Sequence, residues 1–302
     1  MKQVSLPALT SGALRGALYM VLAGVCFAFA NAMTFVITAQ LGFLPQSDTF
    51  WQYATALLFS LPFVLRHGLA GLRTDKPVVH IIRVVLSALG VQAFVTSLAA
   101  GTPIWQVIAL VMTAPLFVLL GAKLFLGETV TPARWIAATV GLIGALIVAD
   151  IWKSGITTAT LYPLAAALLW GGSSLLTKYL TRTEAASTVT LWLLVLLTPI
   201  NAGLSVHAGF ELPTMAILGW LLMGGVIMMA AQYLLTWSYA AADAAFVQPF
   251  DDLKLVSNIV IYGLWFGYWP AGNIWLGVAL ILGASLFLLM SSRGEDGQPV
   301  PA

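Results

Sequence analysis

The sequence predicts an all-α integral membrane protein whose ten transmembrane helices form two inverted five-helix repeats. Of the 302 residues, 60% are hydrophobic and only 8% are charged, whereas a soluble domain carries about 25% charged residues. The mean hydropathy of +0.96 agrees with a chain that lies mostly in lipid. The similarity between the two halves of the chain predicts the repeat.

Ten apolar stretches are each long enough to cross a bilayer, which takes about 20 mostly apolar residues. The first has no clear cleavage site and is predicted to be a retained span rather than a signal peptide. Short linkers favour a single transmembrane domain over residues 1–302. The predicted spans are 15–38, 49–66, 77–98, 103–125, 131–150, 158–179, 187–207, 214–238, 244–265 and 270–290.

The basic residues fall on one side of this ten-span arrangement. Of the 13 lysines and arginines, one (Lys153) lies on the opposite side and Lys254 lies inside the ninth span. Because basic connections stay in the cytoplasm, both termini and the tail 291–302 are predicted to be cytoplasmic, in a bacterial inner membrane. The eleven residues on the cytoplasmic side are Lys2, Arg15, Arg66, Arg73, Lys76, Arg83, Lys123, Arg134, Lys178, Arg182 and Arg293.

The second half of the chain is similar to the first at an offset of 140 residues, which aligns Gly127 with Gly267. The predicted repeats cover 15–150 and 158–290. Because each repeat has an odd number of spans, the second enters the membrane from the opposite side. Inverted repeats of this kind place a substrate site near the bilayer midplane, between the halves.

Composition excludes several kinds of site. Cys26 is the only cysteine, so an intramolecular disulfide and a cysteine-rich metal site are excluded. The three histidines begin no metal-ligand motif, and no cofactor is predicted. The net charge of +2 is small, and no nucleic-acid partner is expected. The expected partners are a small-molecule substrate and the lipid bilayer, for a monomer or a homodimer.

The ninth span is the main candidate for a functional site because it carries charges at membrane depth. Such charges cost roughly 2.5–3.5 kcal/mol each on insertion scales, so this helix is expected to face protein or water rather than lipid. On one continuous helix, five polar residues share a face. These are Gln248, Asp251, Lys254, Asn258 and Tyr262.

The charged residues of this span have more than one interpretation. Asp251 and Lys254 either bind a zwitterion or exchange a proton during transport, or they form an internal ion pair at i, i+3 with the lysine reaching towards the surface. Asp252 points elsewhere and is either a coupling residue or a contact with a neighbouring helix. Pro249 either breaks the span at a binding site or starts the helix.

Three residues in other spans are candidates for lining the substrate site. Asn31 and Gln92 are the amides predicted to lie deepest, and amides in lipid are costly unless they are hydrogen-bonded. They either line a cavity or join helices. Trp170, in the middle of the sixth span, either stacks with Tyr262 on a flat or cationic substrate or packs in the bundle.

Four motifs follow one another along the chain: LFLGE at 124–128, RWIAATVGLIGALIV in the fifth span, AALLW at 166–170 and PFDDLKL at 249–255. Their order and spacing resemble the EamA-type branch of the drug/metabolite transporter superfamily over nearly the whole chain. The resemblance implies a ten-helix carrier of small metabolites, often an exporter, with a central cavity between the halves. The second-half counterpart of Glu128 is Tyr268, so a carboxylate function at this turn is not implied for both halves.

The turn after the LFLGE motif has a structural explanation. Gly127 suits a helix C-terminus because it accepts a positive φ. Thr131 and Pro132 suit the N-cap and the first position of the next helix. Residues 127–132 are therefore predicted to have a structural role.

The sequence predicts a secondary transporter, an exporter or exchanger, of a small polar or zwitterionic metabolite such as an amino acid, working by alternating access. The alternative is an importer of a nucleoside-like or flavin-like metabolite. The chain has no Walker motif, so exchange of substrate or a coupled proton is the expected drive. A membrane-embedded enzyme is disfavoured because the H-E-x-x-H and G-x-S-x-G motifs are missing. A scaffold role would leave the buried charges unexplained.

Overall fold

The fold is described by a computed structural model that covers residues 11–67, 72–99, 104–149, 161–267, 269, 272 and 274–295. Every regular element in these ranges is a helix, and they contain no strand. The all-α prediction is therefore confirmed. Tyr268, Lys153 and the tail beyond Glu295 lie outside the described residues.

The described helices form ten segments that match the ten predicted spans in order and to within five residues at every end. The fourth and the ninth segments each consist of two helices. The elements are α1 (Ser11–Phe35), which continues as a π-helical turn (Val36–Gln40), α2 (Pro45–His67), α3 (Pro77–Ala99), α4 (Ile104–Val111), α5 (Ala114–Phe125), α6 (Pro132–Ala149), α7 (Leu161–Thr181), α8 (Ala186–Ala208), α9 (Met215–Ala241), α10 (Ala244–Asp251), α11 (Leu253–Phe266) and α12 (Ile274–Glu295).

The helices have the length and composition of an integral membrane protein. Five of those described are long and apolar enough to cross a bilayer, namely α1 with its π-helical turn, α3, α8, α9 and α12, and α5 and α6 are shorter apolar helices. Large apolar side chains such as Phe125 and Leu264 are 79% and 74% exposed. In water such surfaces would be unfavourable, whereas lipid tails cover them without cost.

The fourth span was predicted as a single helix, and the structure corrects this. For the ninth, a break near Pro249 was one of two alternatives, and the span is broken. The fourth breaks at Met112 and Thr113 and the ninth at Asp252. The offset that aligns Gly127 with Gly267 also aligns Met112 with Asp252, so the two breaks are equivalent. Both glycines follow the second helix of their pair, with φ of +66° and +72°, a conformation that glycine adopts at low cost.

Helix packing shows the same twofold relation. The pair α1 and α9 is matched by the equivalent pair α7 and α3, and α1 contacts α11 as α7 contacts α5. Two further pairs, α2 with α8 and α6 with α12, join each helix to its own counterpart. The two halves are therefore interlocked. The repeat boundaries at 15–150 and 158–290 stay predictions.

Glu128 joins the turn after α5 to the start of α10. Its two carboxylate oxygens accept hydrogen bonds from the backbone N–H groups of Ala244 and Ala245, at 3.1 and 2.9 Å. The Glu128 side chain is only 3% exposed, and a guanidinium nitrogen of Arg182 lies 3.7 Å from it. A carboxylate at this position satisfies helix N–H groups that have no partner within the helix, and the helix dipole favours its charge.

The rest of this junction is also made of helix ends. Lys178 donates hydrogen bonds to the carbonyl oxygens of Tyr239 and Ala242, at 3.0 and 2.7 Å, and so caps the C-terminus of α9. The α6 helix starts at Pro132, as predicted. The prediction that Thr131 caps α6 is wrong, because its buried hydroxyl has no hydrogen-bond partner.

Candidate functional site

The first and ninth spans meet along a face of small side chains on α1. Ala28 and Ala32 are fully buried in a cluster with Ile261 of α11. A Cβ atom added to Gly24 would lie 3.1 Å from the Cβ atom of Lys254. Since small residues allow the backbones of membrane helices to approach closely, α11 presents its polar side chains directly to α1.

A row of polar groups runs along this contact. Lys254 Nζ donates to Asp251 Oδ2 at 2.6 Å, and the Asn258 amide donates to the Lys254 carbonyl oxygen at 2.7 Å. The Asn31 amide donates to Asn258 Oδ1 at 3.1 Å, and the Tyr262 hydroxyl donates to the Asn31 carbonyl oxygen at 3.3 Å. We call these five residues the polar row. The structure thus brings together four of the five residues predicted on the ninth span with Asn31 of the first.

Aromatic rings continue the polar row towards the end of α11. The Phe35 ring centroid lies 5.8 Å from that of Tyr262 and 5.0 Å from that of Phe266. The indole of Trp265 stacks on Phe266 at 5.9 Å and lies 6.0 Å from Trp220. Favourable aromatic pairs have centroids about 4.5–7 Å apart. We call Phe35, Tyr262, Trp265 and Phe266 the aromatic cluster.

Part of the polar row is exposed at the surface of the helix bundle. The Lys254 and Asp251 side chains are 29% and 16% exposed, Asn258 is half-buried and Asn31 is exposed. An exposed amide beside stacked rings can hydrogen-bond the edge of a flat molecule while the rings contact its faces. The geometry therefore suits a planar ligand with polar edges.

Gln248 does not extend the polar row, although helical spacing had placed it there. Its Oε1 atom accepts a hydrogen bond from the Tyr239 hydroxyl at 2.6 Å, and the residue is only 3% exposed. The break at Asp252 separates Gln248, on α10, from Lys254, Asn258 and Tyr262 on α11. Asp252 also lies off the row, buried against Gly141 of α6.

Trp170 and Gln92 lie on the packed pair α7 and α3. The Trp170 indole donates to the Ser87 carbonyl oxygen at 3.1 Å, its ring lies 5.8 Å from Phe94, and Gly90 leaves room for it. Trp170 is thus held in a helix contact. The Gln92 side chain is exposed, and a lining role for Gln92 stays a prediction.

A buried carboxylate at the start of α2 was not singled out from the sequence. Asp48 is 1% exposed, and the Gln52 amide donates to its two oxygens at 3.4 and 3.2 Å and to the Thr34 hydroxyl at 2.6 Å. The i, i+4 spacing of Asp48 and Gln52 is the feature of the sequence from which this contact could have been predicted. The predicted span began after Asp48, which placed the carboxylate outside the membrane.

A second buried network joins α3 to α7 and α8. The Arg83 side chain is 1% exposed and donates to the Thr177 hydroxyl at 3.1 Å and to the Val189 carbonyl oxygen at 2.7 Å. His80 lies 2.8 Å from Glu184. Arg83 had been counted only as a basic residue of the cytoplasmic side, although it falls within the predicted third span.

Within the described ranges, no three His, Cys, Asp or Glu side chains converge as metal ligands would.

Comparison with known proteins supports the resemblance found in the sequence. The family described as the EamA-like transporter family matches residues 14–149. The riboflavin transporter of Rhizobium johnstonii is 56% identical over 299 residues, which cover 99% of both chains. The riboflavin transporter of Brucella anthropi is 43% identical over 282 residues, covering 92% of this chain and 99% of that one. One solved structure has the same fold, with a TM-score of 0.76 at 17% identity over 96% of this chain and 100% of that one.

Proposed function

Because the chain belongs to the EamA-like transporter family of the drug/metabolite transporter superfamily, we propose that it is a secondary carrier of riboflavin. The observation that carries the proposal is the 56% identity to a riboflavin transporter over 99% of both chains. It favours the flavin-like alternative over the amino acid that the sequence first suggested.

The chemistry of riboflavin matches the site between α1 and α11. Its isoalloxazine ring system is flat and aromatic, and one edge alternates carbonyl oxygens with an N–H group. The amides of Asn31 and Asn258 supply donors and acceptors for such an edge. The rings of Phe35, Tyr262 and Phe266 supply faces for stacking, which is worth about 0.5–1.5 kcal/mol for each aromatic pair beyond the area that it buries.

The charged pair of the polar row supports a neutral substrate. Lys254 and Asp251 already bond each other at 2.6 Å, so their charges compensate each other without a substrate. Riboflavin is uncharged at neutral pH and needs no charged partner. In this proposal the pair holds the start of α11 in place, and Asn258 is oriented through its hydrogen bond to the Lys254 carbonyl oxygen.

The broken spans supply the places where the carrier changes conformation. Alternating access moves one set of helices against the other around a site near the midplane. The starts and ends of α4, α5, α10 and α11 allow such movement without disrupting a continuous helix. Since a carrier of this kind is reversible, the gradients of its substrates set the direction of net transport.

We place both termini in the cytoplasm, because the basic residues fall on that side of the predicted arrangement.

Counterflow with purified protein in sealed vesicles tests the proposal. Vesicles loaded with unlabelled riboflavin should take up labelled riboflavin faster than empty vesicles, and internal amino acids should give no such acceleration. Protein-free vesicles give the background. Acceleration by amino acids without acceleration by riboflavin would return the assignment to the zwitterionic substrate.

A further inference from the structure

The carboxyl group of Asp252 lies at the break between α10 and α11 with one oxygen unbonded. Asp252 is 2% exposed, and its Oδ2 atom has no hydrogen-bond partner. A Cβ atom added to Gly141 of α6 would lie 2.7 Å from this oxygen. The carboxyl group therefore fills the space that the missing side chain of Gly141 leaves.

The positive charge close to Asp252 is already paired with another carboxylate. Asp251 and Lys254, on its own span, are the ionisable groups whose charges act on it, and Lys254 is bonded to Asp251. From α6 it meets Gly141. One turn further along, Ala145 and Leu255 belong to an apolar cluster with residues of the fourth and tenth spans. A carboxylate that is buried with an unbonded oxygen, and whose neighbouring cation is bonded elsewhere, is so unfavourable that the group takes up a proton instead.

The break itself does not need an acid. The equivalent break in the first half of the chain is formed with Met112, which an offset of 140 residues aligns with Asp252. Since a break at the equivalent place forms around an apolar side chain, a break alone does not explain a carboxyl group at position 252.

We propose that Asp252 is the proton-carrying group of the transporter, protonated in this conformation and ionised in the alternate one. The proposal rests on the carrier function proposed above. When α11 moves against α10, water reaches the carboxyl group, its O–H bond breaks and the proton passes to water on the side that has opened. Substrate bound to Asn258 and Tyr262 moves the same helix, so substrate transport and proton release are coupled.

The test separates coupled transport from exchange in sealed vesicles. In the wild-type protein, a pH gradient of one polarity accelerates riboflavin uptake and the opposite polarity slows it. Asp252→Asn abolishes this response but retains riboflavin exchange at equal pH, because a neutral side chain mimics the protonated acid. Asp252→Leu is measured beside it, so that a folding defect in one variant leaves the test intact.

Two further variants sharpen the result. Gly141→Ala displaces the carboxyl group and weakens the response to the gradient without removing the acid. Asp48→Asn changes another buried carboxylate, one that is hydrogen-bonded to Gln52, and leaves the response unchanged. Wild-type exchange without any response to the gradient overturns the proton proposal, as does a normal response in both Asp252 variants. Absence of wild-type riboflavin exchange overturns instead the proposed substrate.

Discussion

The side-chain amide of Asn31 donates a hydrogen bond to Asn258 Oδ1 at 3.1 Å, across 227 residues of the chain. It joins the first span of one half to the broken span of the other, at an exposed part of the contact. The Tyr262 hydroxyl donates a hydrogen bond to the backbone carbonyl oxygen of Asn31. This pair is therefore the most direct place to test whether the contact between α1 and α11 binds substrate.

Asn31→Ala and Asn258→Ala should each weaken riboflavin binding, with little effect on thermal stability. A lost hydrogen bond is worth about 0.5–1.5 kcal/mol, which corresponds to as much as about tenfold in affinity. Quenching of riboflavin fluorescence in detergent measures the affinity. Gln92→Ala, an exposed amide on α3, is the matched comparison, and a larger loss there than at Asn31 would move the site to α3.

Glu128→Gln should lower thermal stability while the protein still folds and keeps much of its transport activity. An amide keeps one acceptor for the N–H groups of Ala244 and Ala245 and loses the negative charge at the start of α10. Hydrogen bonds to charged groups are worth about 1.5–3 kcal/mol. Thermal unfolding in detergent and vesicle flux measure the two effects. Complete loss of flux in a normally folded variant would show that Glu128 acts in transport itself.

Changes to the ion pair should separate a structural role from a binding role. Asp251→Asn and Lys254→Met should each reduce stability and flux, because each leaves one charge without its partner. The pair is partly exposed, so each loss should be smaller than the roughly 3–5 kcal/mol typical of fully buried pairs. The double variant should regain both stability and flux if the substrate is uncharged. A double variant that is stable but inactive would instead assign substrate contacts to the pair.

The orientation in the membrane can be tested with single cysteines in a Cys26→Ser background. Arg73 and Leu212 are exposed in connections on opposite sides of the predicted arrangement. An impermeant thiol reagent added to intact cells should label Leu212→Cys and leave Arg73→Cys unlabelled until the cells are opened. The opposite pattern contradicts the cytoplasmic assignment of both termini.

The sequence predicted the order and extent of the spans because hydropathy measures the property that membrane insertion selects. The break at Met112 had a signal that was not used, since Pro115 lies in the first turn of α5, where proline suits the start of a helix. The break at Asp252 had a signal in Pro249, which cannot donate to the carbonyl of the preceding turn. Helical spacing applied across that break placed Gln248 on the polar row, where it does not lie.

The candidate site was predicted only in part, for a related reason. Asn31 was found because an amide deep in a span needs a partner, and that partner proved to be Asn258. Phe35 and Phe266 were not singled out, since aromatic residues are frequent in every span and only their convergence distinguishes them. Arg83 was assigned to a cytoplasmic edge because hydropathy alone does not separate a buried charge near a helix end from a solvated one.

The capping of α10 by Glu128 also has a consequence for biosynthesis. Glu128 precedes Ala244 by 116 residues, so the acceptor leaves the ribosome well before the N–H groups that it will bond. When α10 enters the membrane, the Glu128 carboxylate that accepts from its first N–H groups is already present in the inserted first half. The second half expressed alone would lack that partner, and the translocation machinery would have to integrate a short helix without the acceptor for its first N–H groups.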